Sequence, residues 1–258
     1  FDNAVLSLEL ESIDGLVIDL RDNGGGYLTA VVQMLRVFLL DNDQPILSYA
    51  AYNNGQTVYP YYGVQSALKP YNIVVLVNEY SASASEVFAL GMQEHAGYKV
   101  VGMQTYGKGV GQTSLPISAN SGDYLTITNA KWFGPNGTWV DKNGGTNGVI
   151  PDVIVQRDPL ESLWRTFLDI DEVITYDQVD PRLETIQVIL NGMGYNVRTD
   201  GYYDIATQSA ITDIQTLNGL DISGNINQDT LDVINQWLID FQTNHDKQLD
   251  EAINQVID

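Results

Sequence analysis

No cysteine occurs among the 258 residues. Disulfides, thiol nucleophiles and thiolate metal sites are thereby excluded together. The absence fits a protein exported by a bacterium, although many cytosolic chains share it. Histidine is scarce too: His95 and His245 are the whole supply, and neither sits in a triad-like setting. Basic residues number 12 against 33 acids, for a net charge of −21. A surface of that sign repels phosphate backbones and anionic lipid, which argues against nucleic acid as a partner. Long apolar runs are also missing. The best stretch, Val31 to Leu40, is broken by Gln33 and Arg36 and falls short of the roughly 20 residues that span a bilayer. It reads as a buried helix. No signal-peptide pattern is visible, and the chain opens at Phe1 rather than Met. The expectation is a fragment or mature form whose targeting segment lies upstream.

What is present reads as an α/β core followed by helices. Gly15 to Leu20 and Asn72 to Val77 are short apolar runs rich in branched residues, the pattern of buried strands. The first ends in Gly24-Gly25-Gly26 and is followed by helical periodicity from Leu28 to Leu40. The second ends in a serine cluster, with a helix expected over Glu86 to Glu94. Further strands are expected at Lys99 to Gly102, Leu125 to Thr128, Lys131 to Phe133 and Val153 to Val155, with turns at Gly134 to Gly137 and Asn143 to Gly145. After Arg157 the chain changes character. A linking segment with some helix, from Leu160 to Leu168, leads to three amphipathic helices around Leu183–Leu190, Thr207–Leu217 and Thr230–Leu238. Residues 177–235 hold nine acids and two bases. About sixty residues suffice for an independent helical domain. Leu249, Ile253, Val256 and Ile257 mark one face of a last helix, which packs on its own protein or serves self-association.

The chemistry concentrates in two short segments. Ser83 lies in Ser81-Ala82-Ser83-Ala84-Ser85-Glu86, where a strand hands over to a helix. Backbone N–H groups there lack intrahelical partners and the helix dipole favours negative charge, which suits a nucleophile that generates an oxyanion. The bland alternative is that Ser83 or Ser85 merely caps the helix, with Glu86 in the first turn. A serine nucleophile needs a base, and with histidine so scarce a desolvated lysine is the candidate. Lys108 stands twenty-five positions on, in Tyr106-Gly107-Lys108-Gly109, where the glycines let the backbone approach closely. The glycine triplet lacks the lysine of a P-loop and the spacing of a dinucleotide fingerprint.

Together with Asp19-Leu20-Arg21-Asp22-Asn23-Gly24-Gly25-Gly26 and Gly148-Val149-Ile150-Pro151-Asp152, these segments resemble the C-terminal processing peptidases, also called tail-specific proteases. The resemblance covers residues 1 to 157. It implies a crotonase-like α/β core and a Ser-Lys serine endopeptidase acting on exported or unfolded proteins. Ser83 then maps to the nucleophile, Lys108 to the general base and Gln112 to the glutamine that holds it. Gly25 or Gly26 would share the oxyanion hole with the N–H of Ala84, while Asp19 and Arg21 buttress the loop. Gly24 replaces the family's usual proline, which loosens the turn and removes no catalytic group. Such peptidases carry a PDZ domain upstream, and this chain is expected to begin after it.

The helical part resembles the peptidoglycan-binding domain 1 family through Leu183 to Leu190, Gly194-Tyr195, Asp200-Gly201-Tyr202-Tyr203, Thr207 to Gln215, Gly219-Leu220 and Gly224. That implies a bacterial, extracytoplasmic protein held at the cell wall, with Tyr202 or Tyr203 either stacking on ligand or joining the core. The expected organisation is 1–157 catalytic core, 158–176 linker, 177–236 wall-binding domain and 237–258 a terminal helix. Partners would be protein substrates and peptidoglycan, with a homo-oligomer open. No metal or organic cofactor is indicated. A non-catalytic scaffold is the competing reading. A zinc amidase acting on the wall itself would need a histidine-rich ligand set, which two histidines do not supply.

Overall fold

The structure is a computed structural model of the whole chain, and it describes residues 1–52, 56–117, 122–163 and 168–257. It divides into two compact units, Phe1–Gln156 with Gln248–Asp258, and Arg157–Lys247. The helical unit is therefore inserted in the chain between two pieces of the first unit rather than appended to it.

In the first unit the helices are α1 (Asp2–Leu10), α2 (Leu28–Arg36) and α3 (Ala84–Ala96). Its strands are β1 (Gly15–Asp19), β2 (Leu47–Tyr52), β3 (Gln56–Tyr61), β4 (Asn72–Val77), β5 (Lys99–Gly102), β6 (Val110–Pro116), β7 (Tyr124–Phe133) and β8 (Val153–Ile154). They form two four-stranded sheets, ordered β1-β4-β5-β8 and β3-β2-β7-β6. The first sheet is all parallel and the second all antiparallel. The two segments expected at Leu125 to Thr128 and Lys131 to Phe133 are one continuous strand, β7. Elements α1, β2, β3 and β6 carry no strong periodicity and are additions to the sequence reading.

Strand β4 explains its own composition. Ile73, Val75 and Val77 enter the main core with Leu35, Phe38 and Phe88, while Val74 and Leu76 face the opposite side with Val101, Ala252 and Val256. Buried on both faces, a parallel strand reads as one continuous apolar run. The second face is covered by α7 (Lys247–Ile257). Its buried side is Gln248, Ala252 and Val256, with Leu249 packed alongside. Ile253 and Ile257 of the expected stripe are instead 41% and 74% exposed. The chain from 237 to 258 is thus not one terminal helix: residues up to Asn244 finish the preceding helix, and α7 returns to the parallel sheet. Gly15 makes room for it, since a Cβ there would lie 1.9 Å from Val256 Cγ1.

The second unit holds α4 (Pro181–Gly192), α5 (Ile205–Leu217) and α6 (Gln228–Asn244). Residues 164–167 lie outside the described residues, so only Glu161–Leu163, a 3-10 turn, is seen of the helix expected from Leu160 to Leu168. The unit is built from a repeated device. Gln187 of α4 donates to Tyr202 O and Thr207 Oγ1 and accepts from Gly201 N. Gln215 of α5 does the same with Asn225 O, Thr230 Oγ1 and Gly224 N. Asp204 and Asn227 cap the helices that follow by accepting from Thr207 N and Thr230 N. Each buried glutamine closes one helix-turn-helix, and α5 belongs to both. Tyr203 is fully buried with its hydroxyl on Gly224 O at 2.8 Å, so it is core. Tyr202 is tied to Asp177 through its hydroxyl, with Arg198 over its ring.

Candidate active site

Three loops leave the carboxyl ends of three neighbouring parallel strands: the glycine loop after β1, the serine turn after β4 and the lysine loop after β5. In open parallel sheets this end is where ligands bind.

The serine turn is locked by its outer members. Ser81 Oγ donates to Leu20 O at 2.7 Å and Ser85 Oγ to Asn23 O at 2.9 Å, both buried serines tying α3 to the end of β1. Between them, the half-buried Ser83 sits at φ +57° and ψ −115°. A non-glycine residue held there stores about 1–3 kcal/mol of strain. Ser83 is the N-cap of α3 and forms a capping box with Glu86; among the described residues its hydroxyl, unlike those of Ser81 and Ser85, donates to no carbonyl.

Glu86 holds that turn against the lysine loop. Its side chain is fully buried and accepts four hydrogen bonds. Oε2 takes Ser83 N and Lys108 N, each at 2.8 Å. Oε1 takes Thr105 Oγ1 at 2.6 Å and Gly107 N at 2.7 Å. A carboxylate offers about four acceptor positions, and all are used. Two residues twenty-five apart in sequence thus share one oxygen atom. The sequence reading placed Glu86 only in a helix's first turn; the Ser83-x-x-Glu86 capping spacing was the available signal, but nothing local foretold its other three partners.

The lysine loop is fixed from its far side as well. Trp132 Nε1 donates to Lys108 O at 3.0 Å and Trp139 Nε1 to Gly109 O at 2.8 Å. A Cβ on Gly109 would lie 2.5 Å from Trp139 Nε1, and Gly107 has φ +84°. Both glycines are therefore required by geometry. Lys108 is half-buried, and among the described residues no hydrogen bond joins its amine to the Ser83 hydroxyl. Next to it, Lys142 bonds the Tyr106 hydroxyl at 2.9 Å and lies 4.0 Å over its ring, holding that phenol below the ordinary tyrosine range. Gln112 follows a bulge in β6. It is exposed, and its amide donates to Thr128 Oγ1 at 3.4 Å; among the described residues it shares no hydrogen bond with Lys108.

The glycine loop lies against the serine turn. A Cβ on Gly25, whose φ is +96°, would come within 2.7 Å of Ala84 N and 3.0 Å of Ser83 Cβ. No other residue fits. The Gly25 N–H, however, donates to Asn23 Oδ1 at 2.9 Å, while Asn23 O accepts from Ala82 N at 3.0 Å. Asp22 is anchored by Asn78 in both directions. Arg21 pairs with Asp19 at 2.8 Å and reaches Gln248 of α7 at 3.5 Å. Asn23, Asn78 and Gln248 are supports that the sequence reading lacked. Among the described residues no three His, Asp or Glu side chains gather to hold a metal ion, and no helix is long and apolar enough to cross a membrane.

The profile of "Peptidase family S41" matches residues 1–155, and that of "Putative peptidoglycan binding domain" matches residues 179–234. The carboxy-terminal processing protease CtpB of Bacillus subtilis (strain 168) is 33% identical over 239 residues, 92% of this chain and 48% of that protein. A "Probable CtpA-like serine protease" of Staphylococcus haemolyticus (strain JCSC1435) is 30% identical over 255 residues, 98% of this chain and 50% of that one. The chain thus spans about half the length of these curated relatives. Among solved structures, a photosystem II D1 C-terminal processing protease is 32% identical with a TM-score of 0.48, covering 60% of this chain and 38% of that one.

Proposed function

The chain belongs to peptidase family S41, and on that premise we propose that it is a serine endopeptidase cutting exported or unfolded proteins near their C-termini. Ser83 Oγ attacks the scissile carbonyl while the Lys108 amine takes its proton. The tetrahedral oxyanion is held by the Ala84 N–H at the start of α3 and by an N–H of the glycine loop. Collapse breaks the C–N bond, Lys108 returns the proton to the leaving amine, and water then hydrolyses the Ser83 ester by the same base. The observation that carries this reading is the Glu86 carboxylate, which brings the Ser83 and Lys108 backbones to one atom.

Two groups must move as substrate arrives. Gly25 N–H serves the oxyanion once it leaves Asn23 Oδ1, and Gly26 shares the role. Gln112 orients the Lys108 amine after releasing Thr128, a bond at 3.4 Å that is long for its type and costs little to break. The helical unit holds the protein to peptidoglycan, outside the cytoplasm.

Degradation of an unfolded reporter by the chain, beside Ser83→Ala and Lys108→Ala, tests the assignment, with cleavage sites read by mass spectrometry. Cleavage by wild type and none by either variant, their circular dichroism unchanged, is the expected result. A fully active Lys108→Ala sinks the dyad, and an inert wild type hands the lead to the scaffold reading. Co-sedimentation of the chain with insoluble peptidoglycan tests the wall tether.

A further inference from the structure

A groove of about 650 Å³ lies in the helical unit, between α5 and the turn at Tyr195, Asn196 and Val197. That volume is within the roughly 300–1,000 Å³ of ligand sites. Its one carboxylate, Asp213, accepts from the Tyr195 hydroxyl at 3.0 Å, and a carboxylate has about three further acceptor positions to give. Burial and that carboxylate together hold the Tyr195 phenol above its ordinary range, so it stays a donor. Three neutral groups line the same space: the amides of Asn196 and Gln208 and the hydroxyl of Ser209. Among the described residues these three side chains make no hydrogen bond. Val197, Ala206 and Ala210 supply an apolar wall. Among the described residues no Lys, Arg or His side chain lines the groove; Arg198, next along the chain, is spent on Asp200 and on the ring of Tyr202. Neither Tyr202 nor Tyr203, the aromatic candidates of the sequence, lines it.

We infer that this groove is where the helical unit meets the cell wall, and that it takes the uncharged amino-sugar strand rather than the carboxylate-bearing peptide. The inference rests on the peptidoglycan reading of that unit. The wall polymer offers two chemistries, strands of N-acetylated sugars without charge and short peptides that carry carboxylates. A carboxylate entering the groove would be desolvated beside Asp213 with no cation to meet it. The surrounding residues 177–235, with nine acids against two bases, repel it further. A sugar presents hydroxyls that donate to Asp213, and an acetamido group whose C=O and N–H match the amides of Asn196 and Gln208. Its C–H faces suit the apolar wall and the Tyr195 ring, an apolar body with a polar tip. Asp213 thus does two things at once: it reads sugar hydroxyls and turns the peptide away.

An amidase separates peptidoglycan into peptide-free glycan strands and free peptides, and each is titrated into the intact chain by calorimetry. The strands are expected to bind and the peptides not. Asp213→Ala and Gln208→Ala should each weaken strand binding by roughly 2–10-fold, the worth of one hydrogen bond, with the melting temperature unchanged. Asp213→Lys should weaken the strands and let the peptides bind. Peptides that bind wild type in place of strands, a wild type that binds neither, or strand affinity unmoved in all the folded variants overturns the groove. The wall tether fails separately. Co-sedimentation with intact peptidoglycan that persists undiminished in the Asp213→Ala, Gln208→Ala double variant keeps the tether and loses the groove. Strand binding that the variants weaken, with no retention of wild type on intact peptidoglycan, keeps the groove and loses the tether.

Discussion

Replacing Glu86 by glutamine is the sharpest perturbation of the site, because it keeps the size of the side chain and changes one oxygen into a donor. All four bonds to the carboxylate come from donors. If the amide nitrogen takes the Oε2 place, the N–H groups of Ser83 and Lys108 both face it and both go unpaired. If it takes the Oε1 place, Gly107 N–H loses its partner. Thr105 Oγ1, which already accepts from Val149 N at 2.7 Å, must then find a new acceptor for its own proton. The second arrangement costs less and is the one expected. A hydrogen bond to a charged group is worth about 1.5–3 kcal/mol net. One lost bond, one displaced and two weakened to a neutral acceptor come to about 2–4 kcal/mol. That is a large share of the roughly 5–15 kcal/mol that holds a domain together. Urea unfolding followed by tryptophan fluorescence measures it, and reporter cleavage below the transition measures the effect on Ser83. A Glu86→Gln protein within about 0.5 kcal/mol of wild type, with undiminished cleavage, would refute the idea that this carboxylate fastens the two loops.

Gly15→Ala should destabilise by about 1–3 kcal/mol through overpacking, and Val256→Ala should remove most of that penalty because its Cγ1 is the atom struck. Additive effects in the double-mutant cycle would count against the seating of α7 on β1. Gln215→Leu leaves Gly224 N, Asn225 O and Thr230 Oγ1 without a shared partner. It should cost about 1–3 kcal/mol for each group left unsatisfied, lower the melting temperature and abolish co-sedimentation with peptidoglycan; unchanged melting would refute the repeat's role. Burial holds the His95 imidazole below its ordinary 6.5, so as pH falls through that value the unfolded chain takes the proton first. Stability is then full above about 6.5 and declines below it towards the folded value. His95→Gln should flatten the melting temperature between pH 7 and 5, and an identical slope in the variant would reject this assignment.

Much of the parallel half of the core could be read from the chain, because a strand buried on both faces has no polar alternation and stands out as Asn72 to Val77 does. The helices of the second unit were equally plain, since each buries one stripe. The antiparallel strands β2, β3 and β6 were not, because their residues are mixed in polarity, those of β3 and β6 are largely exposed, and their pairing is set by partners elsewhere in the chain. The internal repeat was written in Ile186-Gln187 and Ile214-Gln215, yet a buried glutamine declares itself only when its three partners converge. In the site, the identities of Ser83, Lys108 and the glycines came from local sequence, where a tight turn or a close approach admits few residue types. Their relation did not. That one carboxylate serves both loops, that Ser81 and Ser85 spend their hydroxyls on the backbone, and that Gln112 rests on Thr128 were decided by the tertiary structure. Hydrogen bonds between segments 16 to 62 residues apart depend on which strands lie side by side, and no local stretch of sequence carries that information.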